Sequence, residues 1–201
     1  MTLDPFYLIV DHVDWIRRLL PCGVKLVQLR AKGAEEAELR RQIADARDLC
    51  RAAGTQLIVN DYWRLAMELG CDFVHLGQED LAAADVVAIK RSGLKLGVST
   101  HDERELETAL AAAPDYVALG PIFPTLLKKM PWAPQGLEKI GLWKRKIGDI
   151  PLVAIGGLTP ERAKEALRAG AQSAAVVTDI TLNPNPEART REWVAATRTF
   201  A

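Results

Sequence analysis

Residues 56–76, QLIVNDYWRLAMELGCDFVHL, contain a complete strand–helix–strand unit. Two short β-rich runs, residues 56–60 and 72–76, flank a segment, residues 64–69, whose apolar residues recur at helical spacing. The runs are mostly apolar on both sides, which is typical of parallel strands buried between helices. The unit therefore predicts a parallel α/β fold.

The same alternation extends over the rest of the chain without a linker or a change of composition. Further strand-like runs lie at residues 6–10, 24–29, 95–99, 115–120, 151–157 and 173–178. Helical patterns lie at residues 14–20, 35–53, 85–92, 103–113, 137–147, 161–169 and 187–198. Eight strand–helix units predict a single-domain (β/α)₈ TIM barrel over residues 1–201, near the lower size limit of about 200 residues for that fold. A doubly wound open sheet is the alternative, disfavoured because neither GxGxxG nor GxxxxGK[ST] follows the first strand.

Residues that commonly end helices support these boundaries. Thr100 with Glu103 predicts a capping box, and Thr159 and Asn185, each directly before a proline, predict two further N-caps. Four glycines at the ends of helical patterns predict left-handed C-caps: Gly54, Gly70, Gly93 and Gly170.

Charge and hydropathy exclude several classes of function. The chain has 26 basic and 26 acidic residues, a net charge of zero, so no overall positive field indicates nucleic acid or an anionic membrane as a partner. The N-terminus predicts a first strand and not a signal peptide, and no apolar stretch reaches the roughly 18 residues of a membrane span. We therefore expect small-molecule partners.

The cysteines and histidines indicate neither a disulfide framework nor a zinc site. Cys22, Cys50 and Cys71 are far apart and form no CxxC motif, and the three histidines form no HxxxH or HExxH motif. This pattern fits a protein of the reducing cytoplasm.

Polar residues occur repeatedly where the predicted strands end, which is the edge of a barrel that forms the active site. The candidates in chain order are Gln28, Arg30, Lys32, Asn60, Asp61, His75, Asp80, Ser99, Thr125, Lys128, Gly156, Gly157, Val177 and Thr178.

Two groups among these candidates indicate specific chemistry. Gln28, Arg30 and Lys32 alternate along one strand end and suit a di- or polyphosphate, although a solvated strand end is the alternative. Asp61 and Asp80 follow neighbouring strands, and two carboxylates beside phosphate oxygens are a usual arrangement for Mg²⁺. The alternative is that Asp61 favours a helix N-terminus and Asp80 begins a turn.

The ends of the last two predicted strands indicate a phosphate site of the kind found in barrels. Gly156 and Gly157, with the turn at Val177 and Thr178, would offer backbone N–H groups to an anion. Glycines also simply form turns. His75 is expected either to contact substrate or support the site, or to be a structural histidine bonded to backbone.

Seven segments together resemble the thiamine-phosphate synthase family in order and spacing, from about Tyr7 to Ile180. They are VQLRAK (27–32), IVNDYWRLA (58–66), VHLGQEDL (74–81), LGVSTHDERE (96–105), DYVALGPIFPT (115–125), PLVAIGG (151–157) and AAVVTDI (174–180). The resemblance implies a small (β/α)₈ barrel that joins hydroxymethylpyrimidine diphosphate to thiazole phosphate. The products would be thiamine phosphate and diphosphate, and the enzyme would be a monomer or homodimer.

The resemblance also implies a role for each candidate. Asp61 and Asp80 would hold Mg²⁺, and the cations Arg30, Lys32 and Lys128 would neutralise the leaving diphosphate. The remaining substrate contacts would be Gln28, Asn60, His75 and Ser99 on the pyrimidine diphosphate side, and Thr125, Gly157, Val177 and Thr178 on the thiazole phosphate side.

One segment departs from the family pattern. The family usually has PT-x-T-K after the sixth strand, whereas this chain has Pro124-Thr125-Leu126-Leu127-Lys128-Lys129. The second threonine is missing, so this chain departs from the family on the thiazole side of the site.

Two other functions remain as alternatives. Thiazole tautomerases of the same superfamily tend to lose the acidic segment after the fourth strand and part of the cationic cluster, and they carry a His where this chain has Pro121. A non-catalytic phosphate-binding barrel would lose the acidic pair. Both acids are retained here, which favours the synthase.

Overall fold

The computed structural model describes residues 2–125 and 133–200. Within these residues, eight parallel strands pair in sequence order and β1 also pairs with β8, so the sheet closes into a barrel. The strands are β1 (Phe6–Val10), β2 (Leu26–Leu29), β3 (Gln56–Asn60), β4 (Phe73–Leu76), β5 (Lys95–Thr100), β6 (Tyr116–Leu119), β7 (Leu152–Ile155) and β8 (Ser173–Val176). The prediction of a (β/α)₈ barrel is confirmed, and the open-sheet alternative is wrong.

Helices connect the strands on the outside. In the described residues they are α1 (Val13–Leu19), α2 (Glu36–Ala53), α3 (Trp63–Glu68), α4 (Gln78–Ala83), α5 (Val86–Arg91), α6 (Glu103–Ala111), α7 (Gly136–Ile147), α8 (Pro160–Arg168), α9 (Thr178–Thr181) and α10 (Pro186–Thr197). No helix within residues 2–125 and 133–200 combines the length and apolar character that crossing a membrane requires.

Apolar side chains form two buried layers, because alternate residues of each strand point inward and outward. Outward-facing strand residues pack against the helices, and Trp143 and Trp193 are fully buried there. A smaller cluster that includes Tyr7, Phe73 and Tyr116 fills the barrel interior. The interior is therefore packed, and polar chemistry is confined to its upper layer and rim.

The helix ends follow the predictions in all but one case. The side chains of Thr159 and Asn185 cap α8 and α10, and the four predicted C-cap glycines have positive φ angles. The Thr100–Glu103 capping box is wrong. Thr100 is the last residue of β5, and its buried hydroxyl donates to Ala118 O at 3.0 Å and accepts from Trp143 Nε1 at 3.0 Å. Asp102 caps α6 instead.

Candidate active site

Asp61 directly follows β3 and has a left-handed backbone, with φ at 64°. Its N–H donates to the carbonyl oxygen of His75 at 2.9 Å, which fixes the residue against β4. A non-glycine residue in this conformation is uncommon, and Asp tolerates it better than most residues. Such backbone strain tends to occur at functional sites.

Asp80 lies beside Asp61 but belongs to a different element. It is in the first turn of α4, a helix that the sequence patterns did not predict, and its carboxylate lies over Gly77. Burial raises the pKa of Asp80, and the adjacent Asp61 carboxyl, which is within hydrogen-bonding contact, raises it further. The β3 and β4 ends thus bring two carboxyl groups together at the rim.

Lys32 supplies the positive charge nearest to this acidic pair among the described residues. Its Nζ lies 3.1 Å from Asp61 Oδ2, and the side chains are 52% and 13% exposed respectively. Arg30 is exposed on the same rim, with its backbone N–H donating to Val10 O at 2.7 Å. The cations are therefore solvated, and the acids are partly withdrawn from solvent.

Asn60 adds an unused hydrogen-bond donor next to the acidic pair. It is 4% exposed, and its Nδ2 is, within residues 2–125 and 133–200, the buried side-chain nitrogen that lacks a partner. An unsatisfied buried amide N–H costs roughly 1–3 kcal/mol, so this atom is suited to donate to a ligand.

Below the rim, five polar side chains form a continuous hydrogen-bonded chain through the barrel interior. Gln28 Nε2 donates to the Tyr7 hydroxyl at 2.7 Å, and the Tyr7 and Tyr116 hydroxyls are 3.0 Å apart. His75 Nδ1 is 2.7 Å from the Tyr116 hydroxyl, and His75 Nε2 is 2.8 Å from Ser99 Oγ. The structure thus connects Gln28, His75 and Ser99 through two tyrosines that the sequence analysis missed.

The sequence did contain a signal for these tyrosines. Side chains two residues apart in a strand point to the same face. Tyr7 lies two residues before the inward-facing Ile9, and Tyr116 lies two residues before Ala118, so both tyrosines point into the barrel. Gly97 lies opposite Tyr116 in the sheet register, and a Cβ built on it would overlap the ring and lie 2.6 Å from the hydroxyl oxygen. A glycine inside a strand often indicates such a close approach.

His75 is held by two side chains and not by backbone, so the alternative of a backbone-bonded structural histidine is wrong. Its ring stacks against Tyr116, with centroids 5.6 Å apart and planes 15° apart. Burial lowers the pKa of His75 to about 4, Asp61 partly opposes this, and Arg30 lowers the pKa further. The imidazole is neutral at physiological pH.

Gln78, in the acidic segment after β4, fixes the backbone at the end of β5. Its Nε2 donates to Ser99 O at 2.7 Å and to Glu105 O at 3.3 Å. Gln78 therefore supports the position of Ser99 from outside the barrel, while His75 contacts its hydroxyl from inside.

On the opposite side of the mouth, the turn after β7 packs against the loop after β6. Gly156 and Gly157 have φ angles of 97° and 66°, and Phe123 N donates to Gly156 O at 3.0 Å. A Cβ on Gly157 would lie 2.8 Å from Phe123 O. The glycines are thus required by the approach of the neighbouring loop, whether or not an anion binds.

Arg162, on α8, links the same two loops and was not singled out from the sequence. Its Nη1 donates to Gly157 O at 2.7 Å, and its guanidinium carbon lies 4.7 Å from the centroid of the Phe123 ring. In the sequence it cannot be distinguished from the other charged residues of an exposed helix face.

The remaining predicted residues are only partly described. Val177 and Thr178 are half-buried where β8 passes into α9, and Thr125 is half-buried after β6. Lys128 and the departure at Leu126 and Leu127 lie outside the described residues. The roles of all the predicted site residues stay predictions.

Comparisons with known proteins agree with this geometry. A family model described as thiamine monophosphate synthase matches residues 6–180. A thiamine-phosphate synthase of Rhizobium etli is 68% identical over 98% of this chain and 97% of its own length. One of Cronobacter sakazakii is 48% identical over 96% of this chain and 88% of its own.

A solved structure agrees as well. The thiamine phosphate pyrophosphorylase from Pyrococcus furiosus superposes with a TM-score of 0.86 at 27% identity, over 98% of this chain and 96% of that one. By sequence and by structure, the chain belongs to the thiamine monophosphate synthase family.

Proposed function

We propose that the protein joins hydroxymethylpyrimidine diphosphate to thiazole phosphate, giving thiamine phosphate and diphosphate. The observation on which this depends is the pair of carboxyl groups, Asp61 and Asp80, that meet beside Lys32 at the barrel mouth. Membership of the family supports the proposal independently.

The reaction requires charge stabilisation and alignment more than acid–base chemistry. The C–O bond between the pyrimidine methylene carbon and the diphosphate breaks, and its electron pair leaves with the diphosphate. The thiazole nitrogen donates its lone pair to the resulting pyrimidine-stabilised cation, which forms the new C–N bond. Positioned cations and hydrogen-bond donors accelerate such a step because they stabilise the charge that develops on the leaving group.

Lys32, Arg30, Ser99 and Asn60 are the residues that we assign to the diphosphate and pyrimidine side. The two cations are on the rim and solvent-accessible, while the unpaired Asn60 amide is buried at the end of β3. Lys128 is assigned to the leaving diphosphate from its sequence position alone. His75 acts on substrate through Ser99, since both of its ring nitrogens are occupied.

The acidic pair fits Mg²⁺. Both donors are carboxylates, the oxygen ligands that Mg²⁺ prefers. Burial and the neighbouring Asp61 raise the pKa of Asp80, and a bound cation would offset the cost of keeping both carboxyl groups charged. No group of three acidic, His or Cys side chains in the described residues could hold a metal, so further ligands would be substrate and water oxygens. Bound there, Mg²⁺ would neutralise charge on the diphosphate.

The thiazole phosphate is assigned to the opposite side of the mouth, at Thr125, Gly157 and the backbone of Val177 and Thr178. The support is the position of these residues after β6, β7 and β8, where barrels commonly bind phosphate. The two substrates would then approach from opposite sides of the mouth.

The tautomerase alternative needs an acid–base group that titrates near neutral pH. His75 does not provide it, because its pKa lies at about 4 and both ring nitrogens are bound. Pro121 occupies the position where tautomerases carry a histidine. These observations favour the synthase.

A steady-state assay tests the proposal. Purified protein with both substrates and Mg²⁺ should form thiamine phosphate and diphosphate in equal amounts, and excess chelator should abolish this activity. Isomerisation of a thiazole carboxylate phosphate without pyrimidine would instead identify a tautomerase. Tight phosphate-ligand binding without turnover would identify a binding protein.

We also propose a monomer or homodimer that works in the cytoplasm. The three cysteines are free thiols, and burial raises the pKa of Cys50 to about 12 and of Cys71 to about 11, which suits unreactive thiols in a reducing compartment. Light scattering of the purified protein would give the oligomeric state, and fractionation of cells the location.

A further inference from the structure

The interior chain Gln28–Tyr7–Tyr116–His75–Ser99, here called the relay, has two conceivable directions of hydrogen bonding. Gln28 fixes one end, because its amide nitrogen can only donate and does so to the Tyr7 hydroxyl. The neutral His75 carries a single ring proton, on either Nδ1 or Nε2. The two directions place the ring proton on different nitrogens of His75. They also decide whether the hydroxyl hydrogen of Ser99 is donated to His75 or remains available.

In one direction, both tyrosine hydroxyls donate to the next residue of the relay. Tyr7 donates to Tyr116, Tyr116 donates to His75 Nδ1, and His75 Nε2–H donates to Ser99 Oγ. All contacts are then satisfied. The hydroxyl hydrogen of Ser99, which is half-buried at the rim, remains available for a ligand oxygen.

In the other direction, a buried donor is left without a partner. His75 Nδ1–H would donate to Tyr116, and Tyr116 would donate to Tyr7. Tyr7 already accepts from Gln28, is 1% exposed, and has no further acceptor in the described residues. An unsatisfied buried hydroxyl costs roughly 1–3 kcal/mol, enough to favour the first direction by about tenfold or more.

We infer that Tyr7 and Tyr116 are positioning residues, which hold His75 as the Nε2–H tautomer so that Ser99 donates its hydrogen to the diphosphate. This inference rests on the proposed function for the identity of the ligand, and on the hydrogen bonds alone for the tautomer. Gly97 contributes because its missing side chain provides the space for the Tyr116 ring.

The tautomer can be measured without substrate. Nitrogen-15 NMR of protein labelled in its histidines should show, for His75, a protonated Nε2 and an unprotonated Nδ1. The signals are assigned by their loss in a His75→Gln variant. A protonated Nδ1 in the wild-type protein would overturn the inference.

A double-mutant cycle tests whether the tyrosine acts through the serine. Inorganic diphosphate with Mg²⁺ is the probe, and its affinity is measured by calorimetry for the wild type, Tyr116→Phe, Ser99→Ala and the double variant. Each single variant should bind about 3–10-fold more weakly. In the Ser99→Ala background, Tyr116→Phe should have no further effect, because coupled residues are not additive.

Two further variants separate the relay from a loss of stability. Thr100→Val removes a buried hydroxyl from the same strand as Ser99 but outside the relay, and should change neither the tautomer nor diphosphate affinity. Tyr7→Phe removes the donor to Tyr116, and should weaken affinity less than Tyr116→Phe does. Additive effects of Tyr116→Phe and Ser99→Ala would overturn the positioning role.

The assay of thiamine phosphate formation is scored separately. A protein that shows the Nε2–H tautomer and the non-additive cycle but makes no thiamine phosphate would refute the proposed function while supporting the relay. Protein that makes thiamine phosphate but has the Nδ1–H tautomer would support the proposed function and refute the relay.

Discussion

The two sides of the barrel mouth differ in the part of the chain that provides their contacts. Between β2 and β5 the polar groups are side chains: Lys32, Asp61 and Asp80 at the rim, supported by the relay beneath. Between β6 and β8 the contacts are mainly backbone, with Phe123 N bound to Gly156 O and Arg162 bound to Gly157 O. Substitutions that remove a charge should therefore impair the side between β2 and β5. Substitutions that enlarge a residue should impair the side between β6 and β8.

The largest effect should follow from removing one charge on the side-chain side. Asp80→Asn should lower kcat/KM at least about 100-fold, comparable to the loss of one preorganised electrostatic group, because the acidic pair loses half its charge. Asp61→Asn should behave alike, since Asn also accepts the left-handed backbone.

The matched control for this prediction is Glu79→Gln. Glu79 directly precedes Asp80 but is exposed and lies outside the acidic pair. Loss of its charge should therefore leave kcat/KM within about twofold of wild type. Near-normal activity of Asp80→Asn, or equal losses in both variants, would contradict the metal role.

The next effect tests the backbone side by adding one methyl group. Gly157→Ala should lower the free energy of unfolding by about 2–4 kcal/mol, because the new Cβ meets Phe123 and the φ angle of 66° disfavours Ala. The KM for thiazole phosphate should rise, while the affinity for diphosphate should remain unchanged.

Gly70→Ala isolates the contribution of the backbone angle. Gly70 has the same φ of 66°, and a Cβ at this position would have no atom within 4 Å, so the cost should be about 1–2 kcal/mol. Urea titrations that give equal losses for the two variants would show that the loop approach contributes nothing.

A smaller effect is a loss of stability at low pH, which we expect because His75 is buried beneath the side of the mouth between β2 and β5. Its folded pKa of about 4 lies below the ordinary value of 6.5, so the unfolded state binds the proton more readily. Stability from the neutral imidazole is present above pH 6.5 and is lost as pH falls towards 4. The loss between pH 7 and pH 4.5 should be about 2 kcal/mol.

The groups that set this pKa besides burial are Asp61 and Arg30. Urea titrations of wild type and His75→Gln at both pH values isolate the contribution of His75. The stability difference between them should shrink by about 2 kcal/mol at the lower pH. A difference independent of pH would contradict the lowered pKa.

The smallest effect is a gain. Because burial and Asp61 both disfavour the charged form of Asp80, Asp80→Asn should stabilise the metal-free protein. Solvent screening limits the gain to less than about 1 kcal/mol, which corresponds to a rise in Tm of less than about 4 °C. Calorimetry without metal measures it, and a lower Tm would show that the two carboxyl groups do not repel.

The side of the mouth between β2 and β5 could be predicted from the sequence, because the residue types themselves indicate the charges and hydrogen-bonding groups of the site. Strand periodicity placed Asp61 and Asp80 on adjacent strand ends, and the structure has them in contact. That Asp80 would lie in helix α4 could not be predicted, since six residues of mixed character contain no helical period. Tyr7 and Tyr116 were missed because aromatic residues in short strands are usually interior packing.

The backbone half could be predicted only as a pair of glycines. Glycine is required at these positions because the loop after β6 approaches closely, and this approach depends on tertiary contacts between residues that are far apart in sequence. The Thr100–Glu103 capping box failed for a similar reason. Thr100 is bonded to Trp143, 43 positions away, and this long-range contact outcompeted the local pattern.

Gly97 and Tyr116 occupy one volume between them. A substitution that gives position 97 any side chain is therefore compatible with the fold only if position 116 becomes smaller in the same molecule. A library that varies position 97 alone would sample mostly broken barrels, so position 116 needs to be randomised together with it.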